Sequence, residues 1–186
     1  MYDFLCQARS ARGNFLDFML ISLETTRLLL KPVLESDLYT LYGIIINPYV
    51  TEYLFDTEIL PLEPVQKMIA ESQKLFAEEK FGLWFIQTKN QQEIIGFVGL
   101  WYFFDEEQPQ LVYALLPEAT KNGYATEAAS RILEYAFKDL DFHYLVASCD
   151  RPNVSSRKVA ERIGMKEVEQ RLIDHKPIVF FKAIRS

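Results

Sequence analysis

A chain of 186 residues with 49% hydrophobic and 25% charged side chains is sized and composed for one globular domain with a buried core. Its 20 Lys+Arg against 26 Asp+Glu give a net charge of -6, which argues against a broad nucleic-acid footprint but allows one basic pocket for a phosphorylated cofactor. Two widely separated cysteines, Cys6 and Cys149, form no disulfide or metal pattern and fit a reducing cytoplasm. Residues 1–24 read as an extension of open role: a short docking helix, a loose tail, or an overextended start ahead of Met19. Asp3, Arg9, Arg12 and Asp17 interrupt it, so it lacks a signal-peptide core. No apolar run approaches the roughly 20 residues of a bilayer span, and no membrane association is expected.

From Thr25 onward the punctuation is regular. TRLLLKPV predicts a strand ended by Pro32, with Asp37 as a cap for LYTLYGIII. Residues 47–61, NPYVTEYLFDTEILP, read as aromatic, acidic and irregular. Leu62 to Glu79 has helical periodicity, with Val65, Met68, Ile69, Leu75 and Phe76 on one side. FGLWFIQT, EIIGFVGLWYF and QLVYALL then predict a three-strand meander. A helix over the stretch after Gly123, the strand HYLVASC and a short helix from Ser155 to Ile163 closed by Gly164 follow. KEVEQRLI and PIVFFKAI flank the turn DHK. This order predicts an α/β sandwich with a mixed sheet rather than a doubly wound parallel one.

The stretch LLPEATKNGYATEAASRILEYAF places a glycine turn between a strand and a helix. Glycine permits close backbone approach, and the helix start offers unpaired N–H groups and partial positive charge, so the turn reads as an anion cradle or as an ordinary loop glycine before a surface helix. Ala125, Ala128, Ala129, Ile132, Ala136 and Phe137 share the buried face of that helix; Glu127 falls outside it and reads as an i,i+4 partner of Arg131. Neither GxxxxGK[ST] nor GxGxxG is present, and there is no HExxH, paired CxxC or G-x-S-x-G. His143 and His175 are isolated, so no metal site is expected.

LLPEATKNGYATEAASRILEYAF resembles the acetyl-CoA-binding motif of the GNAT N-acetyltransferase superfamily, and ASCDRPNVSSRKVAERIGM resembles that superfamily's following strand and helix. TTRLLLKPVLESDLYTLY and IIGFVGLWYF resemble the opening and the central strand of its RimJ/RimL branch. Four pieces in the family's order cover the chain from about Thr25 to its end, so 25–186 is expected to be a GNAT domain with a mostly antiparallel mixed sheet of six to seven strands flanked by helices. The strands at 111–116 and 144–149 are expected to be adjacent, parallel and splayed at one end. One departure stands out: the pyrophosphate motif commonly begins with Gln or Arg, whereas this chain has Thr120, and Asn122 stands where the branch often has another glycine.

The resemblance implies acetyl transfer from acetyl-CoA to a primary amine, with a protein or peptide N-terminus as the RimJ/RimL-like acceptor and no metal. The alternative is an acyl-CoA-binding sensor or scaffold that has lost turnover. Cofactor contacts are expected from the backbone of Leu115 and Leu116, from Lys121, Asn122, Gly123, Tyr124, Ala125 and Thr126, and from Asn153 and Ser156. Asn153 also reads as a turn or cap residue, and Ser156 as a polar residue of a first helical turn. Ser156 is the candidate proton donor to the CoA thiolate, because the family's usual tyrosine slot holds Ala160. Glu118 is the candidate base, with a solvated loop charge as its plain alternative. Tyr49, Glu52, Tyr53 and Asp56 fall in the acceptor-covering segment, where aromatic walls with carboxylates suit a cationic amine. The expected state is a cytoplasmic monomer or homodimer.

Overall fold

The computed structural model describes residues 21–54, 59–104 and 107–185. One eight-stranded sheet runs through them in the order β1-β2-β3-β4-β5-β6-β8-β7. In chain order the strands are β1 (Leu23–Glu24), β2 (Leu28–Pro32), β3 (Leu83–Thr88), β4 (Ile94–Trp101), β5 (Gln110–Leu115), β6 (Tyr144–Asp150), β7 (Lys166–Ile173) and β8 (Lys176–Ile184). The helices are α1 (Leu38–Ile45), α2 (Pro48–Leu54), α3 (Leu62–Glu79), α4 (Tyr124–Lys138) and α5 (Val154–Arg162).

Both faces of the sheet are covered, which is why its central strands read as near-continuous apolar runs. Period-2 alternation sends Leu28, Leu30, Trp84, Ile86, Val98 and Leu100 to a core shared with α4 and α5. Leu83, Phe85, Phe97 and Val112 face the opposite core, built on α1, α2 and the start of α3. On α4, Ala128, Ala129, Ile132, Tyr135 and Ala136 are buried at helical spacing, and the small residues let the helix lie close to the strands. Trp84 is fully buried, edge-on to Phe76 at 4.7 Å and to Tyr135 at 5.8 Å. Such aromatic pairs each add about 0.5–1.5 kcal/mol beyond area burial.

The sheet has one strand more than the six to seven expected. The extra strand is β1, whose two residues are too short to show periodicity; Leu23 pairs with Leu30 and is buried. The segment read as irregular contains α2. Pro48 opens it with φ already suited to a helix, while the Asn47 side chain accepts from Tyr49 N–H at 3.0 Å. Val50 and Thr51 lower its helix propensity, but their burial outweighs that. The β7–β8 turn consists of Asp174 and His175, both at positive φ (46° and 65°), the type I′ geometry that matches strand twist.

β5 and β6 are parallel neighbours joined at one ladder position, Gln110 opposite Val146. Beyond it the strands diverge. This gap, at the C-terminal ends of both strands, positions everything that follows.

Candidate active site

The β5–β6 gap opens into a cleft of about 930 Å³ lined by β5, the turn before α4, β6, α5, α2 and Phe103–Phe104. A depression of about 140 Å³ beside α3, lined by residues such as Glu35 and Gln66, is too small for a cofactor.

One end of the cleft is the cradle before α4. Gly123 has φ 80° and Lys121 φ 64°, so the turn alternates through left-handed backbone that only glycine adopts without strain. A Cβ on Gly123 would meet little, its nearest neighbour being Arg27 Nη2 at 3.5 Å, so conformation rather than crowding requires the glycine. The first intrahelical bond runs from Glu127 N–H to the Gly123 carbonyl at 3.0 Å, leaving the N–H groups of Tyr124, Ala125 and Thr126 without intrahelical acceptors. These three residues, with Lys121 and Gly123, line the cleft. Asn122 does not; its side chain donates back to the Ala119 and Thr120 carbonyls and shapes the turn.

Sequence reasoning missed what braces this cradle. Glu127 does not pair with Arg131, which lies 3.6 Å from Glu134 instead. Glu127 accepts from the Thr25 hydroxyl at 2.6 Å, from Arg27 N–H at 2.9 Å and from Arg27 Nε at 2.6 Å. Arg27 Nη1 also donates to the Asn122 carbonyl at 3.0 Å, and its guanidinium lies 4.6 Å from the centre of the Tyr124 ring. Burial pushes the Glu127 carboxyl up, but Thr25 and Arg27 together outweigh it and hold the group below the usual carboxylate range. The β1–β2 turn is thus locked to the cradle. The partners lie 100 residues apart, and no local pattern signals them.

Along the cleft, Leu116 N–H is taken by the Ile95 carbonyl at 2.9 Å. Strand alternation turns Leu115 N–H the opposite way, into the gap left by β6. At the centre, Asn153 caps α5 by accepting Ser156 N–H at 3.0 Å while also lining the cleft. Ser156 Oγ sits 2.9 Å from Tyr113 Oη, which also donates to the Ser156 carbonyl. Burial pushes the Tyr113 phenol well above its ordinary value, so it stays protonated. Burial likewise raises the Cys149 thiol, to about 11, despite the Ser156 hydroxyl beside it. Tyr113 could have been suspected from its phase: on β5 it shares the side of Leu111 and Leu115, which pack against α4 and α5.

The other end is walled by Tyr49, Glu52 and Tyr53 of α2 and by Phe103 and Phe104. Asp56 lies outside the described residues. Glu118 is exposed on the 3-10 turn Pro117–Ala119 and is not among the cleft-lining residues. Trp84 and Leu100 are core, whereas Phe103 does reach the cleft. Among the described residues no cluster of three or more His, Cys, Asp or Glu could hold a metal, and no helix is long and apolar enough to cross a membrane.

The cleft suits acetyl-CoA: unpaired N–H groups and Lys121 offer an anion site, the splayed strands make a slot for an extended arm, and Lys158 and Arg162 add positive charge along α5. A family model described as "Acetyltransferase (GNAT) domain" matches residues 27–166. The chain belongs to the GNAT acetyltransferase family. It is 28% identical over 151 residues to the uncharacterized N-acetyltransferase YnaD of Bacillus subtilis, covering 77% of this chain and 82% of that protein. The GNAT-family acetyltransferase structure from Bacillus anthracis superposes with a TM-score of 0.74 at 20% identity, covering 88% of this chain and 98% of that one. RimL, a ribosomal L7/L12 alpha-N-protein acetyltransferase solved with coenzyme A, superposes with a TM-score of 0.73 at 15% identity, covering 86% and 95%. At those identities the structures testify to fold alone.

Proposed function

We propose that the chain transfers the acetyl group of acetyl-CoA to a primary amine, and that its acceptor is the α-amine of a protein or peptide. The observation that carries this reading is the continuity of one cleft. It joins the N–H cradle at Tyr124–Thr126, the Ser156–Tyr113 hydroxyl pair and the aromatic and acidic wall of α2. The aromatic and acidic wall of α2 supports an acceptor that arrives as an ammonium group.

In this reading the first turn of α4 and Lys121 hold the pyrophosphate. Leu115 N–H polarises the thioester carbonyl, and acetyl-CoA supplies the acyl carbon. The amine nitrogen bonds to that carbon as the C–S bond breaks, and Ser156 returns a proton to the sulfur. Ala160, in the slot where a tyrosine is usual, is buried in the core, and Tyr113 brings a phenol from β5 to the Ser156 hydroxyl instead. That replacement favours a working site over a scaffold that only binds CoA.

The test is to incubate the pure protein with acetyl-CoA and a panel of tripeptide amides with free α-amines, alkylamines and amino acids, following thiol release. Turnover fastest with the peptides is expected. Tight CoA binding without thiol release on any amine would instead establish the sensor or scaffold reading.

A further inference from the structure

A proton must leave the acceptor before it can attack, since an α-amine has a pKa of about 7.7–8.0 and an alkylamine about 10.4. We propose that Asp150 is the general base of the transfer, its carboxylate taking that proton from the acceptor's ammonium group. The inference rests on the acetyl-transfer reading and adds to it a catalytic residue on β6.

Asp150 is the last residue of β6, where β5 and β6 have already parted. Alternation along β6 sends Leu145, Ala147 and Cys149 toward α4 and α5 and turns Ser148 and Asp150 to the acceptor side. Asp150 lines the cleft together with Ser156 of α5 and Tyr53 of α2, whose phenol feels its charge. No described residue hydrogen bonds or ion-pairs with its carboxylate. The carboxylates of Glu127, Glu134, Asp141 and Glu169 are by contrast each engaged by an arginine or lysine. Burial raises the Asp150 carboxyl above its ordinary value, toward working pH, as a base requires.

The surrounding charges are mixed. Glu52 and Tyr53 line the same cleft from α2, Lys158 and Arg162 from α5, Asp174 from the β7–β8 turn and Lys176 from the start of β8; Cys149 and Tyr113 remain protonated beside it. The two carboxylates and aromatic rings nearest the acceptor suit an ammonium ion. The proton account closes. Asp150 takes one proton from R–NH₃⁺ and passes it to solvent, nitrogen forms the C–N bond as C–S breaks, and a second N–H proton reaches the thiolate through Ser156. The products are R–NH–acetyl and CoA–SH.

Three measurements test it, using a tripeptide amide with a free α-amine as acceptor. Asp150→Asn should lower kcat by about 10²-fold or more near pH 7. That deficit should shrink as pH rises through the amine's own pKa, while CoA affinity holds, which a merely structural role would not produce. Carbon-13 NMR of the cofactor-free protein should show Asp150 titrating above the ordinary value of about 3.9. An active wild type with an equally active Asp150→Asn variant, or an Asp150 titrating at or below that value, overturns the assignment and leaves acetyl transfer standing. Loss of activity in Glu118→Gln but not in Asp150→Asn moves the base to the rim. A wild type that turns over no amine removes both readings together.

Discussion

At Ser156 a hydroxyl lies within hydrogen-bond reach of a protonated phenol, in the first turn of a capped helix. In the proposed reaction that setting would stabilise a developing thiolate and offer it a hydroxyl donor. Ser156→Ala is expected to lower kcat by about 10²–10⁴-fold with little change in CoA affinity, because the proposed cofactor site rests mainly on backbone groups. Stopped-flow and calorimetry on the same variant separate the two. Cys149 beside it supplies a pH reading: with its thiol at about 11, iodoacetamide should label it slowly at pH 8 and faster as pH climbs toward that value. Rapid labelling at pH 8 would mean the site is wetter than its packing indicates. Asp150 gives the matching stability test. A carboxyl raised by burial contributes stability below the unfolded-state value that is lost as pH rises through the folded one. Asp150→Asn should therefore melt at or above the wild type at pH 7, with the advantage gone below about pH 3.9.

The elements explain why the cradle keeps its shape. Gly123 at φ 80° costs a residue with a Cβ about 1–2 kcal/mol of strain, so Gly123→Val should weaken CoA binding more than Lys121→Ala does. The Arg27–Glu127 lock joins the β1–β2 turn to α4, with Glu127 only 18% exposed. Arg27→Ala is expected to cost about 1–2 kcal/mol, since it leaves a partly buried carboxylate without its cation, and to weaken CoA binding by loosening the turn. The exposed Lys67–Glu63 pair should contribute under about 0.5 kcal/mol. Because Glu127 is held below its ordinary range, the lock's contribution is present above the unfolded carboxylate value and disappears as pH falls through the folded one. Denaturant melts of the wild type and Arg27→Ala between pH 3 and 7 check the sign. Local pattern made α3, α4 and the meander legible, because the helices repeat their period over 18 and 15 residues and the strands alternate over six to eight. It hid β1, which is too short, and α2, a half-exposed helix whose only buried residues are the β-branched Val50 and Thr51.

For the molecule as a whole, motif order along the chain pointed to the fold, and the parallel β5–β6 contact with its early divergence is where that fold makes room for a cofactor. The cradle could be read from Gly123 and the helix after it, since both signals are local. Arg27 and Asp150 could not, because each acquires its setting only when segments tens of residues apart meet across the sheet; the phase of β5 hinted at Tyr113 but not at its Ser156 partner. Acetyl transfer to an amine is decided by incubating a bacterial peptide pool with carbon-13 acetyl-CoA, with and without the protein, and locating the label by mass spectrometry. Label is expected on peptide α-amines, dependent on the protein and matching the thiol released. CoA release with label appearing only as free acetate, or no protein-dependent label on any amine, would contradict it.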